Sequence, residues 1–434
     1  MNAAATPIAD LGISDATVVT MNAGASVLEH TSIGITADRI TSIGAVVASR
    51  RTIDARGAIV LPGLVNAHTH LAMTMFRGLA DDLDLEHFLG RLLPAEDAVL
   101  TSETVAAGTA LAVAECLRAG ITTALDMYFF PEAARAVARS AGFDLRDGPV
   151  FIEAAGPDRR SFDARLTCAT DLLLATPADR RWVAPHSTYL LSEDQLRAVA
   201  TMAGEHGARV HVHACETTAE LAAVRARHGR TPIEVLRDTG LLGPGTVLAH
   251  GVHLTPADIA LVATAGATVS HCPASNQKLA SGFAPIPDLL AAGVPVALGT
   301  DGAASANDLD LWVAMRLAAY PLAARTAPGT VGAAAVLAMA TTGGATAAGA
   351  PELGTIAVGT RADLVVLDPT SPSLTPSYDA HSTAAYAASR ADVRWVVAAG
   401  RVVVDDRRLV TIDVAGAVGA LREMAPRILA ATGR

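Results

Sequence analysis

Residues 59–70 read Ile59-Val60-Leu61-Pro62-Gly63-Leu64-Val65-Asn66-Ala67-His68-Thr69-His70, an apolar run that ends in two histidines. The Val and Ile content predicts a buried strand, with Pro62-Gly63 at its entrance. Because side chains alternate across a strand, His68 and His70 are expected to point the same way, with Thr69 opposed. Two adjacent imidazoles suit a metal ion. Alone, however, a His-x-His pair is equally typical of two hydrogen-bonded core histidines.

The composition indicates a soluble enzyme. A chain of 434 residues suits a large barrel with a smaller domain. Its formal net charge of -10 argues against a nucleic-acid groove or an anionic membrane patch. The longest uncharged stretch, 326–351, is too weakly apolar to span a membrane, and the N-terminus shows no signal peptide. The cysteines form no disulfide framework, which favours a reducing cytoplasm; they are Cys116, Cys168, Cys215 and Cys272.

Short Val, Ile and Thr runs at both ends of the chain predict one small β-domain. The runs are 16–20, 32–36, 40–47, 355–358, 363–367, 393–398 and 401–404. The two terminal pieces are expected to pair into a β-sandwich, which residues 1–60 and 355–434 would form with a last helix over 413–431. Residues 61–354 would form the larger domain.

Eight candidate strands alternate with helical patterns in that larger domain. They are 60–68, 121–127, 149–154, 182–186, 209–214, 246–250, 267–272 and 295–300. Strand, helix and strand at this spacing predict βαβ units and a parallel sheet. The predicted fold class is therefore α/β, a (β/α)8 TIM-like barrel whose active site lies at the carboxyl ends of the strands.

Polar side chains stand at those strand ends. His68 and His70 end the first strand, and the others are His186, His213 with Glu216 just past it, His250, His271 and Asp301. Two imidazoles, a third from strand 5 and a carboxylate from strand 8 can complete a mononuclear metal site. A bound divalent cation lowers the pKa of water to about 7, so hydroxide is available at neutral pH. Glu216 is not needed as a ligand and is placed to shuttle protons.

Other residues have simpler interpretations. His211 shares a strand face with His213 but lies one layer deeper, which predicts barrel filling. His271 could equally form a hydrogen bond to a metal ligand or contact the substrate. Lys278, the only lysine, follows strand 7 in a stretch without a strand pattern, so neither a lysine-bridged binuclear site nor a Schiff-base aldolase is expected.

Longer motifs now give a resemblance. They are Pro62 to His70, Arg77-Gly78-Leu79, Pro185-His186-Ser187, His213-x-x-Glu216, Ser270 to Asn276, and Gly299-Thr300-Asp301-Gly302. With these motifs the chain resembles the amidohydrolase superfamily. It is most similar to the methylthioadenosine/S-adenosylhomocysteine deaminase branch, with the triazine hydrolases as neighbours.

The resemblance implies a role for each site residue. It implies one metal ion per subunit, usually Zn2+ with Fe2+ or Mn2+ as alternatives, held by His68, His70, His213 and Asp301. Glu216 would shuttle protons, and His250 would orient and polarise the attacking hydroxide. His186 would bond the substrate ring. Glu96 matches a carboxylate that holds two ribose hydroxyls, which suits a group that accepts through both oxygens.

Two positions depart from the deaminase pattern. Glu153 stands where the deaminases of S-adenosylhomocysteine carry an arginine that meets the amino-acid carboxylate, so Glu153 is expected to repel that tail. Arg165 is the candidate match for a second family arginine. Phe88 replaces a common tryptophan.

The implied activity is hydrolytic deamination of an adenosine-like nucleoside such as methylthioadenosine or 5'-deoxyadenosine. Glu216 would protonate a ring nitrogen, and Asp301 would pass the hydroxide proton to the leaving ammonia. The alternative is an aminohydrolase or chlorohydrolase of a triazine, pterin or oxidised guanine. A rival of another class is a catalytically dead barrel that serves as a binding module. The expected protein is a cytoplasmic homo-oligomer whose partner is a small molecule, not nucleic acid or a membrane.

Overall fold

The computed structural model describes residues 8–44 and 46–431. Its strands are β1 (Ala9–Val19), β2 (Val27–Thr36), β3 (Arg39–Gly44), β4 (Ser49–Asp54), β5 (Ile59–Pro62), β6 (Leu64–His70), β7 (Ile121–Asp126), β8 (Asp144–Asp147), β9 (Val150–Phe151), β10 (Trp182–Pro185), β11 (Arg209–Ala214), β12 (Thr246–His250), β13 (Thr268–His271), β14 (Val296–Leu298), β15 (Asp301–Gly302), β16 (Leu364–Leu367), β17 (Val393–Ala398), β18 (Arg401–Asp405) and β19 (Arg408–Leu409).

The α-helices are α1 (Leu85–Val99), α2 (Ser102–Arg118), α3 (Pro131–Ala141), α4 (Phe162–Ala175), α5 (Glu193–His206), α6 (Thr218–His228), α7 (Pro232–Thr239), α8 (Pro256–Ala265), α9 (Pro273–Lys278), α10 (Ile286–Ala291), α11 (Leu311–Arg325), α12 (Ala333–Ala340), α13 (Thr342–Ala348), α14 (Ala380–Ser382) and α15 (Val414–Ala431). None of these helices is both long enough and apolar enough to cross a membrane. The predicted run 40–47 includes residue 45, and the predicted β-domain includes 1–7 and 432–434. These positions lie outside the described residues.

Both ends of the chain contribute strands to one sheet, as the terminal β patterns predict. The order in this nine-stranded sheet is β19-β18-β17-β16-β5-β1-β2-β3, with β4 paired to β1. The two ends meet where β5 pairs antiparallel with β16, opposing Val60 to Val366 and Leu61 to Val365. Because Val60 and Val366 are fully buried in one apolar cluster, this junction is part of a hydrophobic core.

The predicted first strand, 60–68, is wrong in its bounds because Gly63 divides it. β5 belongs to the terminal sheet and β6 to a parallel sheet. The backbone N–H of Gly63 donates to Asp363 O at 2.7 Å. A Cβ added to Gly63 would lie 2.4 Å from Thr122 Oγ1, so glycine lets the chain pass between the two sheets.

The remaining strands form two parallel sheets. Their orders are β14-β13-β12-β11-β10-β9 and β15-β6-β7-β8, and every pair in them is parallel. The sheets adjoin where Thr300 N, just past β14, donates to His68 O of β6 at 3.1 Å. Helices connect most consecutive strands, as α5 connects β10 to β11. This alternation confirms the α/β class and brings the carboxyl ends of the strands to one region.

The predicted third strand, 149–154, is also wrong in its bounds, because it contains only the short strand β9, and β8 lies before it in the chain. Gly148 and Pro149 separate these two strands. Proline has no N–H for a ladder, and a Cβ added to Gly148 would lie 2.1 Å from Trp182 O. β8 therefore pairs with β7, and β9 pairs with β10. The other six predicted segments of this domain each hold one strand.

Candidate active site

Three strand ends bring His68, His70, His213 and Asp301 together. The Nε2 of His70 lies 3.1 Å from Asp301 Oδ1 and 3.3 Å from His213 Nε2. The Nε2 of His68 lies 3.4 Å from Asp301 Oδ1. All four side chains are buried. The four residues that the sequence nominates as ligands are thus direct neighbours.

Hydrogen bonds at the far side of each ring orient the imidazoles. The Nδ1 of His70 lies 2.6 Å from Met127 O, and the Nδ1 of His213 lies 2.9 Å from His186 O. Because a carbonyl oxygen only accepts, each Nδ1 donates to it, and each Nε2 is the ring nitrogen turned towards the cluster. Neutral imidazole nitrogens with this orientation are metal ligands.

These donors fit a divalent metal ion. Zn2+ is bound in proteins by imidazole nitrogen and carboxylate oxygen. The Nε2 of His68 is fully buried and its contact with Asp301 Oδ1 is long, at 3.4 Å, an arrangement that a metal-ligand role explains. Ligand atoms of His68, His70 and Asp301 lie within 4.8 Å of one another, as do those of His68, His213 and His250.

The electrostatics of the cluster keep Asp301 ionised. Burial lowers the pKa of His68 to about 3. Burial also acts to lower the pKa of His70, but the hydrogen bond and charge of Asp301 outweigh it and raise that pKa to about 9. Burial acts to raise the pKa of Asp301, yet the His68 and His70 hydrogen bonds hold it well below its usual range. A carboxylate anion therefore faces the imidazole nitrogens.

Two serines that the sequence analysis did not single out hold Asp301. Its Oδ2 accepts from Ser275 Oγ at 2.6 Å and from Ser305 Oγ at 2.8 Å, which turns Oδ1 towards the histidines. Asp301 and His250 both have left-handed backbone, with φ of 61° and 75°. Such conformations are costly for residues with a Cβ and gather at functional sites. No local sequence signal marks them.

Glu216 lies beside the cluster in a buried position. Its Oε2 is 3.8 Å from His250 Nε2, and burial raises the pKa of its carboxyl. The Glu220 carboxylate holds the local backbone by accepting from Cys215 N at 3.0 Å and Glu216 N at 2.7 Å. Glu220 is not among the residues nominated from the sequence, although its position four residues after Glu216, in the first turn of α6, is a usable signal.

His250 and His211 are each held by a long-range side-chain contact. The Nδ1 of His250 lies 2.8 Å from Asn276 Oδ1, so this nitrogen donates and Nε2 remains available towards Glu216. The Nε2 of His211 lies 2.8 Å from His68 Nδ1. His211 therefore orients a predicted metal ligand, and its interpretation as barrel filling alone is wrong.

The cluster forms the floor of a cavity of about 450 Å³. The floor includes His186, whose pKa burial lowers to about 3, so its ring is neutral. The walls are mostly apolar and include Met73, Leu85, Phe88, Leu89, Leu92, Leu93, Met127, Phe129, Ile152, Leu190 and Leu279. A flat ring with few polar atoms suits these walls.

Helix α1 adds one carboxylate to the cavity. Residues that face it recur at helical spacing, and Glu96 is the polar member of that face; the others are Leu85, Phe88, Leu89, Leu92 and Leu93. Glu96 is buried, and Tyr128 Oη donates to its Oε1 at 2.5 Å. Burial raises the pKa of Glu96 to about 7, against the Tyr128 hydrogen bond and the His70 charge, which act to lower it.

Of the two residues nominated to meet the substrate tail, Glu153 lines the cavity and Arg165 does not. Glu153 lines the cavity with its side chain 59% exposed, and Arg227 Nη2 lies 3.8 Å from its Oε2. Arg165 does not line this cavity. Its guanidinium is buried and donates to Asp158 at 2.6 Å and to Ile152 O at 2.8 Å. The N–H groups of Arg165 therefore form hydrogen bonds within its own loop.

His271 does not reach the cavity either. It lines a neighbouring cavity with Phe283 and Leu317, and its Nδ1 has no partner among the described residues. Lys278 is the last residue of the short helix α9. Its Nζ donates to Asp81 Oδ1 at 2.5 Å and to Asn307, so it joins two loops outside the cluster.

Known proteins resemble this chain along most of its length. Residues 59–403 match the Amidohydrolase family. A 5-methylthioadenosine/S-adenosylhomocysteine deaminase of Syntrophobacter fumaroxidans is 40% identical over 417 residues, covering 94% of this chain and 95% of the relative. A 5'-deoxyadenosine deaminase of Methanosarcina barkeri is 38% identical over 413 residues, with the same coverages of 94% and 95%.

One solved structure is similar over nearly the whole fold. An adenosine deaminase from Xanthomonas campestris with bound zinc has a TM-score of 0.92 to this chain at 38% identity, covering 98% of this chain and 99% of that one. The family match contains every member of the strand-end cluster. The chain belongs to the amidohydrolase family, as its motifs predict.

Proposed function

We propose that this chain is a metal-dependent hydrolytic deaminase of an adenosine-like nucleoside, such as methylthioadenosine or 5'-deoxyadenosine. The observation that carries the proposal is the buried cluster of three imidazoles and Asp301, with Glu216 and Glu96 in the same cavity. The names of the two relatives, both nucleoside deaminases, support it. The reaction replaces the ring amine by oxygen from water and releases ammonia.

In this proposal the metal, one Zn2+ per subunit with Fe2+ or Mn2+ as alternatives, is held by His68, His70, His213 and Asp301. When bound, a divalent cation lowers the pKa of a water molecule to about 7 and so supplies a nucleophile near neutral pH. The hydrogen bonds to Met127 O and His186 O hold the rings so that Nε2 of His70 and of His213 faces the metal position. The two serines on Asp301 keep its other oxygen in place.

Glu216 carries the proton to the substrate ring. Burial raises the pKa of its carboxyl, which favours the acid form, and Glu216 takes one proton of the attacking water and gives it to a ring nitrogen. Asp301 accepts the second proton of the same water and passes it to the amine as the carbon–nitrogen bond breaks, which leaves a ring carbonyl and ammonia. His250, held by Asn276, stabilises the charge that develops on the oxygen, and neutral His186 bonds the ring.

The remaining cavity residues select the substrate. Glu96 accepts from the ribose hydroxyls. Glu153 stands at the mouth and disfavours a tail that ends in a carboxylate, although the exposed Arg227 beside it weakens the repulsion. Arg165 in its observed position contributes to this selection only by holding the loop that contains Ile152.

We also infer the finer architecture and assembly. The two adjoining parallel sheets suit a closed (β/α)8 barrel over residues 61–354. The nine-stranded terminal sheet suits a β-sandwich domain of residues 1–60 and 355–434. We infer a cytoplasmic homo-oligomer, because the four cysteines are unpaired in the structure and homo-oligomers are common among the deaminases that the chain resembles.

Ammonia release from a matched substrate panel tests the proposed function. With zinc-loaded enzyme we expect turnover of adenosine, methylthioadenosine and 5'-deoxyadenosine, because their tails are neutral. We expect kcat/KM for S-adenosylhomocysteine to be about tenfold lower, since its carboxylate meets Glu153. Guanine and a chlorinated triazine should react poorly. The zinc-loaded enzyme could instead turn over the triazine or guanine and release no ammonia from any adenosine. That result would contradict this proposal and support an activity on another amino-heterocycle.

Glu96 predicts a pH dependence that is specific to ribose-bearing substrates. Because its folded pKa is raised to about 7, the carboxylate forms as pH rises through about 7 and is lost below it. We therefore expect the kcat/KM ratio of adenosine to 2',3'-dideoxyadenosine to increase between about pH 6 and pH 8. Glu96→Gln should lower this ratio about 10- to 100-fold and make it independent of pH. A pH-dependent ratio that survives in Glu96→Gln would contradict the assignment.

A further inference from the structure

Tyr128 lies between the metal cluster and Glu96. It is buried and lines the cavity, and its ring centroid is 6.2 Å from that of His70. Its hydroxyl donates to Glu96 Oε1 at 2.5 Å. Burial and the Glu96 charge raise the pKa of Tyr128 well above its usual range, so the phenol keeps its proton.

The hydrogen bond leaves a defined set of acceptors. A phenol hydroxyl has one proton to donate, and Tyr128 donates it to Glu96 Oε1. The lone pairs of Tyr128 Oη and the second oxygen of Glu96 then remain as acceptors in the same cavity. A vicinal diol presents two donors on adjacent carbons, which is the complement of two adjacent acceptors. The bond also restrains the Glu96 carboxylate, so less freedom is lost when a diol binds.

The backbone around Tyr128 is held on the metal side. Asp126 Oδ1 accepts from Leu71 N at 2.7 Å, and Met127 O lies 2.6 Å from His70 Nδ1. Three successive residues therefore make three separate contacts. Asp126 holds the segment after β6, Met127 orients the predicted metal ligand His70, and Tyr128 pairs with Glu96. A sugar on this pair and a ring over the metal cluster are positioned by the same segment.

We propose that Tyr128 is a specificity-determining residue, the second half of a clamp that selects sugars carrying both the 2'- and 3'-hydroxyl. The inference rests on the proposed function, because the clamp serves a nucleoside in the same cavity. It goes further by requiring the pair of hydroxyls and by giving Tyr128 a direct contact with one of them.

The test compares sugars in the zinc-loaded enzyme. Steady-state kcat and KM would be measured for adenosine, its 2'-deoxy and 3'-deoxy forms, and 2',3'-dideoxyadenosine, in wild type and in Tyr128→Phe. We expect Tyr128→Phe to raise KM for adenosine about three- to tenfold with kcat nearly unchanged. For dideoxyadenosine we expect no change. One of the two monodeoxy substrates should lose its sensitivity to the variant, which identifies the hydroxyl that Tyr128 contacts.

Tyr189→Phe is the matched control, because Tyr189 also lines the cavity but its ring lies beside that of His186, with 6.2 Å between the ring centroids. In Tyr189→Phe, the ratio of kcat/KM for adenosine to kcat/KM for dideoxyadenosine should equal that of wild type. Equal losses on adenosine and dideoxyadenosine in Tyr128→Phe, or no loss on either, would overturn the clamp while leaving the deaminase proposal intact. Wild-type enzyme with full zinc that turns over no adenosine would overturn both.

Discussion

Glu216→Gln is expected to lower kcat for adenosine roughly 100- to 10,000-fold while the zinc content stays at that of wild type. The carboxyl is buried, its pKa is raised, and it stands 3.8 Å from His250 Nε2 without being one of the grouped ligands. Glutamine keeps the size of the side chain, but its amide neither gives up nor takes up a proton near neutral pH. The measurement is single-turnover ammonia release, with metal analysis of the same sample.

Glu205→Gln is a suitable control, because it makes the same chemical change at an exposed position on α5. Its kcat should match that of wild type. A Glu216→Gln enzyme that retains most of its kcat with metal bound would remove Glu216 from the proton-transfer step, and Asp301 would then have to serve both proton transfers.

Asp301→Ala is expected to abolish both metal binding and turnover. It removes the carboxylate that faces the Nε2 atoms of His68 and His70. Loss of a partner that only orients a ligand costs about 10- to 100-fold in metal affinity, so loss of the ligand itself should cost more. Zinc content after dialysis, by mass spectrometry, measures the effect. Added zinc should raise the Tm of the metal-free wild type but not that of the variant.

Ser305→Ala offers a graded comparison. It removes one of the two hydroxyls that donate to Asp301 Oδ2 and leaves the ligand oxygen in place. Metal affinity should fall about tenfold with zinc still bound at saturating concentration. Stoichiometric, tightly held zinc in Asp301→Ala would mean that the cluster of His68, His70, His213 and Asp301 is not the metal site.

The site residues that the sequence could nominate are those on strand ends. A strand ends where an apolar run ends, and parallel strands place their carboxyl ends at one edge, so His68, His213 and Asp301 could be grouped before any contact was known. Arg165 is nominated only by the family resemblance and does not line the cavity, because its guanidinium donates to carbonyl groups of its own loop.

The sequence by itself determined the family, the α/β class, the joining of both chain ends in one sheet and the set of strand-end donors. These depend on local patterns: apolar runs, alternation along a strand, and short motifs. Only the tertiary structure decided that Gly63 divides the first strand, that His211 orients His68, and that Tyr128 donates to Glu96. These contacts join residues distant in the chain. Packing distances and hydrogen-bond directions select such partners, and no local pattern contains them.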